Sequence, residues 1–376
     1  MTTFESSPQI RSLAAAVCAR VPAFLWGNPG ITKTATVEGH VKAWGRHIEV
    51  LIGSTLEPSD FSGPMVETPD GVVGYKPLRW VRDANAAKGG AVIFGDEYNH
   101  SQQAVMAAMQ RMLQEKWVGD TKLGDDVAII LAGNYPEIAP EANELTPAVA
   151  NRLLHLDWSF DAQTWKDNVG TNFEFVEYPA LDKLVHPDPA TKRVIIAARI
   201  TAFLDVFPDL LAPKPPKDIS DLSGAWCSPR SWTNVINTLA WVRDGDKSTE
   251  MMIIKGLVGE AALKSFIEWE VTADLKNPLD VLADPSIVDW AGERPDRLFH
   301  TASAVAGLGL SDEKHWLPAL KALTTCAQSG KADVAEHGVM RLLNNMPAKA
   351  RVPDSTRRAF AALLEKMDNG VTGLAA

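Results

Sequence analysis

The sequence predicts an α/β fold in which a mostly parallel sheet core is followed by a helical lid and an all-α C-terminal extension. Three observations predict it. Short apolar runs alternate with amphipathic stretches as far as about Asp157, as buried strands and their connecting helices do in a layered domain. Strand signals fade after Trp158, where helical periodicity takes over. Pro278, Pro285 and Pro295 then punctuate a final stretch whose apolar residues recur only at helical spacing. The divisions expected are residues 1–160 for the core, 161–272 for the lid and 273–376 for the extension.

The strands predicted are Ala23 to Trp26, His47 to Ile52, Ala91 to Phe94, Val127 to Ala132 and Leu153 to Asp157. Each is short and apolar throughout or nearly so, which suits strands covered on both faces. Between them, Ser101 to Gln114 places Val105, Met106, Met109 and Met112 at helical spacing. Further on, helices are expected over Thr191 to Phe207, Ser228 to Val242, Glu250 to Glu270, Arg297 to Leu308, Trp316 to Ser329 and Asp354 to Asp368, with a Pro-rich break from Pro208 to Asp218. Trp232, Trp241 and Trp269 fall among apolar residues on these helices and are read as core.

The 376 residues are enough for more than one packed unit. With 46% hydrophobic and 22% charged residues, disorder is excluded as the general state. A net charge of -10 repels polyanions, so nucleic acid is not the expected partner. Cys18, Cys227 and Cys326 are far apart and form no CxxC pair, which fits a reduced, cytoplasmic setting. No apolar run is long enough to span a membrane, and the start MTTFESSPQI lacks the basic-then-apolar order of a secretory signal.

The chemistry concentrates where the first strand ends. Gly27-Asn28-Pro29-Gly30-Ile31-Thr32-Lys33-Thr34 matches the phosphate-binding pattern G-x-x-x-x-G-K-[ST] except at its second glycine, which is Thr32. Such a loop surrounds phosphates with backbone N–H groups at a helix N-terminus, with Lys33 supplying charge to the β/γ oxygens and Thr34 ligating Mg²⁺. A β-branched residue at position 32 carries a backbone cost of ~1–3 kcal/mol if the loop demands glycine's conformation. Read alone, the segment is also compatible with a plain glycine-rich turn before a helix.

Downstream, the apolar run from Ala91 ends in Gly95-Asp96-Glu97. Asp96 is the expected second holder of Mg²⁺, and Glu97 the group that orients and activates the attacking water. The next strand delivers Gly133-Asn134, whose amide can polarise the same water, although an isolated loop Asn is more often a turn former. Arg152, just before the fifth strand, fits a finger supplied in trans, with a surface ion pair as the alternative. Arg230, in Cys227-Ser228-Pro229-Arg230-Ser231-Trp232 at a helix start, fits a sensor that reaches back to the γ-phosphate.

Together these residues resemble the MoxR branch of the AAA+ P-loop NTPases, in the stand-alone subgroup with a helix-2 insertion. Leu56-Glu57-Pro58-Ser59-Asp60-Phe61-Ser62-Gly63-Pro64 resembles the start of that insertion. Gly256-Leu257-Val258-Gly259-Glu260-Ala261-Ala262 resembles the family's lid motif, and Arg294-Pro295-Asp296-Arg297-Leu298 fits its helical tail. Thr32 and Gly95 depart from the family pattern. The resemblance implies ATP and Mg²⁺ as ligands, a ring oligomer such as a hexamer, chaperone-like remodelling of a protein client, and a von Willebrand A-type protein as one possible partner. It also implies two pore-facing hairpins, one turning at Asp70-Gly71 within Glu67 to Tyr75 and one over Trp117 to Asp126 with bends at Gly119 and Gly124.

Two further readings stand beside the motor. One is a nucleotide-sensing scaffold in which Thr32 has removed useful hydrolysis. The other is a nucleic-acid motor, motivated by the cluster Lys76, Arg79, Arg82 and Lys88.

Overall fold

The computed structural model describes residues 6–67, 69–139 and 141–361. The strands are β1 Ala23–Trp26, β2 His47–Ile52, β3 Met65–Glu67, β4 Val73–Tyr75, β5 Ala91–Asp96, β6 Trp117–Val118, β7 Thr121–Lys122, β8 Val127–Gly133 and β9 Leu154–Asp157. Five of them form one parallel sheet in the order β2-β5-β8-β1-β9. β3 pairs with β4 and β6 with β7 as separate antiparallel hairpins.

The sheet order creates the site. From β1 the chain crosses to β2 at one edge, returns through β5 and β8, and then passes β1 to reach β9 at the other edge. Connections leaving β1 and β8 therefore diverge, and the crevice between their C-terminal ends is the switch point at which α/β sheets bind ligands. β1, β5 and β8 are buried along almost their whole lengths, which is why they read as unbroken apolar runs.

The first six helices are α1 Pro8–Ala19, α2 Lys33–Ala43, α3 Ser59–Ser62, α4 Arg79–Ala86, α5 Gln103–Glu115 and α6 Pro147–Ala150. α5 buries the expected Val105, Met106, Met109 and Met112 in a core shared with Phe24, Ile93 and Ile129. α1 has no counterpart in the sequence reading and is buried from Ile10 to Cys18. Its Arg11 is itself buried, bonded through Nε to Asp246 Oδ2 at 2.5 Å and through Nη2 to Asp246 Oδ1 at 3.0 Å.

The single helix expected over Glu250 to Glu270 is two, Lys247–Val258 and Glu260–Ala273. Gly259 breaks it: its φ is 90°, and an added Cβ would lie 3.0 Å from the Ala225 carbonyl. The helix expected over Asp354 to Asp368 is described as Asp354–Ala359, and its last seven positions lie outside the described residues. The three cysteines are free and buried.

The chain resolves into two compact units, Met1–Pro187 with Leu210–Lys264, and Asp188–Asp209 with Ser265–Ala376. The first holds both the sheet and the helix Pro229–Leu239. The second is helical. Its helix Pro189–Val206 brings Phe203 edge-on to Phe266 and Trp269, and the helices Pro295–Ser311, Glu313–Gln328 and Ala332–Asn344 enclose Leu298, Trp316, Leu323 and Val339.

Candidate nucleotide site

β1 and β8 lie side by side with Trp26 opposite Gly133, and the Gly27 N–H continues the ladder to the Gly133 carbonyl at 3.2 Å. The loop Gly27 to Thr32 therefore leaves the sheet at the switch point, and α2 starts at Lys33. Gly27 has no room for a side chain, since a Cβ would meet Ile31 Cδ1 at 2.8 Å and the Trp158 carbonyl at 3.1 Å. Gly30, at φ 77°, faces open space instead. Asn28, Pro29 and Gly30 are exposed and Ile31 is half-buried, so the loop crest is accessible.

Thr32 occupies the left-handed region, at φ 62° and ψ 27°. The backbone thus demands the conformation that glycine adopts freely, and a β-branched L-residue there costs ~1–2 kcal/mol. Its hydroxyl lies 3.5 Å from the Thr36 hydroxyl, a distance too long for much compensation.

Lys33 is buried, and its ammonium donates to the Gly27 carbonyl at 2.8 Å, the Asn28 carbonyl at 3.0 Å and Asn134 Oδ1 at 3.3 Å. Burial lowers its pKa, and the nearby Asp96 and Glu97 carboxylates oppose that shift. Thr34 Oγ1 donates to Asp96 Oδ2. The loop, the acidic strand end and the Asn134 amide just past β8 are thereby joined by direct hydrogen bonds.

Asp96 ends β5, and its Oδ1 accepts the Glu97 N–H at 2.9 Å. Glu97 itself is left-handed, at φ 52°, which turns the chain into the short helix Tyr98–His100. Its carboxylate accepts from the hydroxyl of Ser54, just past β2. Gly53 makes this approach possible, because a Cβ there would lie 2.8 Å from the Glu97 carbonyl. Gly95 is explained by packing: an added Cβ would press on Leu131 Cδ2 at 2.8 Å and Met109 Cε at 3.4 Å.

Asn134 is fixed by a residue the sequence reading passed over. Fully buried Asn99 donates from Nδ2 to the Asn134 carbonyl at 2.8 Å and accepts the Asn134 N–H on Oδ1 at 3.2 Å. Gly133 must be glycine for this clamp, since a Cβ would lie 2.3 Å from Asn99 Oδ1 and 2.7 Å from Phe24 Cζ. Ser54, Asn99 and Asn151 are the polar residues of this region that the sequence reading missed. None carries a local motif, and only Asn99, close behind the acids, offered a positional hint.

The two arginines form a second group. Arg152, half-buried, donates to the Ala148 carbonyl, and both burial and the neighbouring Arg230 guanidinium lower its pKa. Asn151 links its loop to the helix Pro229–Leu239: Asn151 Nδ2 donates to the Trp226 carbonyl at 2.9 Å, and Ser228 Oγ donates to Asn151 Oδ1 at 2.7 Å. Ser228 also caps that helix in a reciprocal pair with Ser231. Among the described residues, neither Arg152 nor Arg230 bonds to Lys33, Asp96 or Glu97.

Both expected hairpins form. β3 and β4 turn at Asp70-Gly71, with Gly71 at φ 78°, and leave Met65, Val73 and Tyr75 exposed. The second hairpin, β6 to β7, bends at Gly119 alone, at φ 53°; Gly124 lies beyond β7, with its N–H bonded to Asn85 Oδ1 at 2.8 Å. The Tyr75 N–H donates to Asp120 Oδ2 at 2.8 Å, tying the two hairpins together.

No protein-family model and no curated protein matches this chain. Among solved structures, a protein inferred to be an ATPase, from Cytophaga hutchinsonii, is similar at 19% identity and a TM-score of 0.45, over 66% of this chain and 80% of that one. The fold is defined by the chain's own sheet. Its order, with a phosphate-loop pattern after β1, between β8 and β9, and a carboxylate pair at the end of β5, is that of an α/β P-loop fold. Among the described residues, no helix is long and apolar enough to cross a membrane.

Proposed function

We propose that this chain binds ATP with Mg²⁺ at the switch point and hydrolyses it, as a MoxR-like AAA+ ring motor acting on a protein partner. One observation carries the reading. Lys33, Thr34, Asp96 and Asn134, drawn from three strand ends, meet in one hydrogen-bonded set beside an accessible loop.

The donor set fits the cofactor. A threonine hydroxyl and a carboxylate oxygen, already in direct contact, are the oxygen ligands that Mg²⁺ takes from protein in phosphoryl-transfer sites. Among the described residues no group of three or more His, Cys, Asp or Glu could hold a metal, and Mg²⁺ beside phosphates needs none. Thr34 and Asp96 would hold the ion, which would supply neutralisation of phosphate charge. Lys33 would add its ammonium to that neutralisation. Glu97, once released from Ser54, is positioned to accept a proton from water, and Asn134 to orient that water through its amide. Arg152, supplied by a neighbouring subunit, and Arg230 would spread positive charge over the transferring phosphoryl group.

The scaffold reading, in which ATP is an assembly signal with little turnover, is favoured by the left-handed Thr32. The nucleic-acid reading gains less, because Arg79 and Arg82 both lie within 4 Å of the Asp83 carboxylate. The test is ATP turnover of assembled protein together with electron microscopy in ATP and in ADP. Lys33→Ala is expected to lose nucleotide binding, and Glu97→Gln to keep binding while losing at least tenfold in turnover. Unchanged behaviour of both variants overturns the proposal.

A further inference from the structure

On the face of the sheet that carries Phe24 and Trp26, the C-terminal ends of β1, β8 and β9 open into a cavity of about 630 Å³ that none of the chemistry above uses. Its wall is aromatic. Trp26 stacks on Tyr135, with ring centroids 6.0 Å apart and planes at 19°, and lies edge to edge with His155 in nearly the same plane, at 6.1 Å and 10°. Trp26 Nε1 donates to His155 Nδ1 at 3.0 Å, so the proton of this ring lies on Nε2, which faces the Ala150 carbonyl at 3.0 Å. The imidazole is neutral, and burial takes its pKa down to about 4.

The rim is acidic. Glu137, Glu144, Asp157 and Glu260 line the cavity, and Lys255, the one lysine or arginine that lines it among the described residues, is paired with Glu260 at 3.1 Å. Glu137 and Glu144 form no ion pair among the described residues. Among the described residues, the Asp157 side chain accepts only the Tyr135 hydroxyl, at 3.0 Å, leaving acceptor capacity to spare. Met251 and Met252 add adaptable apolar surface.

An electron-rich aromatic wall with unneutralised carboxylates around it attracts a cation and repels a phosphate. The volume lies in the range of pockets that take small organic ligands or a long side chain. We propose that this cavity binds an organic cation, an ammonium or guanidinium on an apolar body, whose charge lies among Glu137, Glu144 and Asp157 and whose body rests on Tyr135 and the methionines. The cation comes either from a free amine or from a lysine or arginine side chain of a polypeptide.

The site does not depend on nucleotide, so its test is run without nucleotide, on the full chain at low ionic strength, by calorimetry. Three probes share one indole body: tryptamine carries a positive charge, tryptophol none and indole-3-acetate a negative one. In a second arm, a capped tetrapeptide containing arginine is compared with its citrulline counterpart. Either tryptamine or the arginine peptide is expected to bind at least tenfold tighter than its neutral counterpart, and the stronger of the two identifies the source. Indole-3-acetate is expected not to bind. Combining Glu137→Gln with Glu144→Gln, two exposed positions that leave folding intact, is expected to erase the charge preference. Equal binding of charged and neutral probes, no binding of either cation, or a preference that survives both substitutions overturns the proposal.

Discussion

Thr32→Gly tests the backbone geometry of the phosphate loop directly. In the left-handed region Thr32 carries a steric cost of ~1–2 kcal/mol, which glycine removes. Against this, glycine adds about 0.5–1 kcal/mol of conformational freedom to the unfolded chain. The exposed Thr32 side chain gives up almost nothing else, its one hydroxyl neighbour being 3.5 Å away. The net expectation is a gain of about 0–1.5 kcal/mol, read as a rise in urea midpoint of a few tenths of a molar. Thr32→Asn, which tolerates the same region, is expected to fall between wild type and Thr32→Gly, and Thr32→Val to be no more stable than wild type. Stability alone does not predict affinity, because strain present with and without ligand cancels. Turnover then separates the two readings: a large gain in Thr32→Gly favours the scaffold, little change favours a loop that already works. A Thr32→Gly protein less stable than Thr32→Val would refute the left-handed assignment itself.

Asn99→Ala would leave both the N–H and the carbonyl of Asn134 without their partner, a loss of roughly 2–4 kcal/mol for two bonds in a buried setting, measurable by denaturation. Acid sensitivity is expected from His155 and His40, both held near pKa 4 by burial against 6.5 when unfolded. Since the unfolded chain binds these protons first, stability is complete above pH 6.5 and falls toward pH 4, by on the order of 3 kcal/mol per histidine; His155→Gln should flatten that slope in urea titrations at successive pH values, and an unchanged slope would contradict the buried, neutral ring. Mixing Lys33→Ala with Arg230→Gln protein should restore turnover if Arg230, like Arg152, acts across a subunit boundary. No recovery would assign Arg230 to its own chain's nucleotide.

The sheet was legible because its strands are covered on both faces: β1 and β2 coincide with the expected runs, and β5, β8 and β9 differ only at their ends. α1 was not legible. Its residues are apolar nearly all round and buried from Ile10 to Cys18, so it lacks the one-sided stripe that marks a surface helix. The break at Gly259 was hidden because a glycine within a helical pattern can be tolerated, as Gly256 is three residues earlier. At the site, Lys33, Thr34 and Asp96 were legible through motif spacing. Ser54 and Asn99 were not, because each acts through a residue 43 or 35 positions away in sequence, and no local pattern encodes such a pairing.

The same two strand ends serve both the candidate nucleotide site and the acidic cavity. Trp26 precedes Gly27 on β1, and Tyr135 follows Asn134 after β8. Side chains alternate across a strand, so Trp26 faces the aromatic wall while the chain that follows it turns into the phosphate loop on the other side. Asn134 cannot shift without disturbing the Asn99 clamp, and Tyr135 cannot shift without disturbing its bond to Asp157. Trp26 is thus one peptide unit from the Gly27 carbonyl that accepts the Lys33 ammonium, and Tyr135 is one peptide unit from the Asn134 amide that accepts it too, so one pair of strand ends shapes both sites.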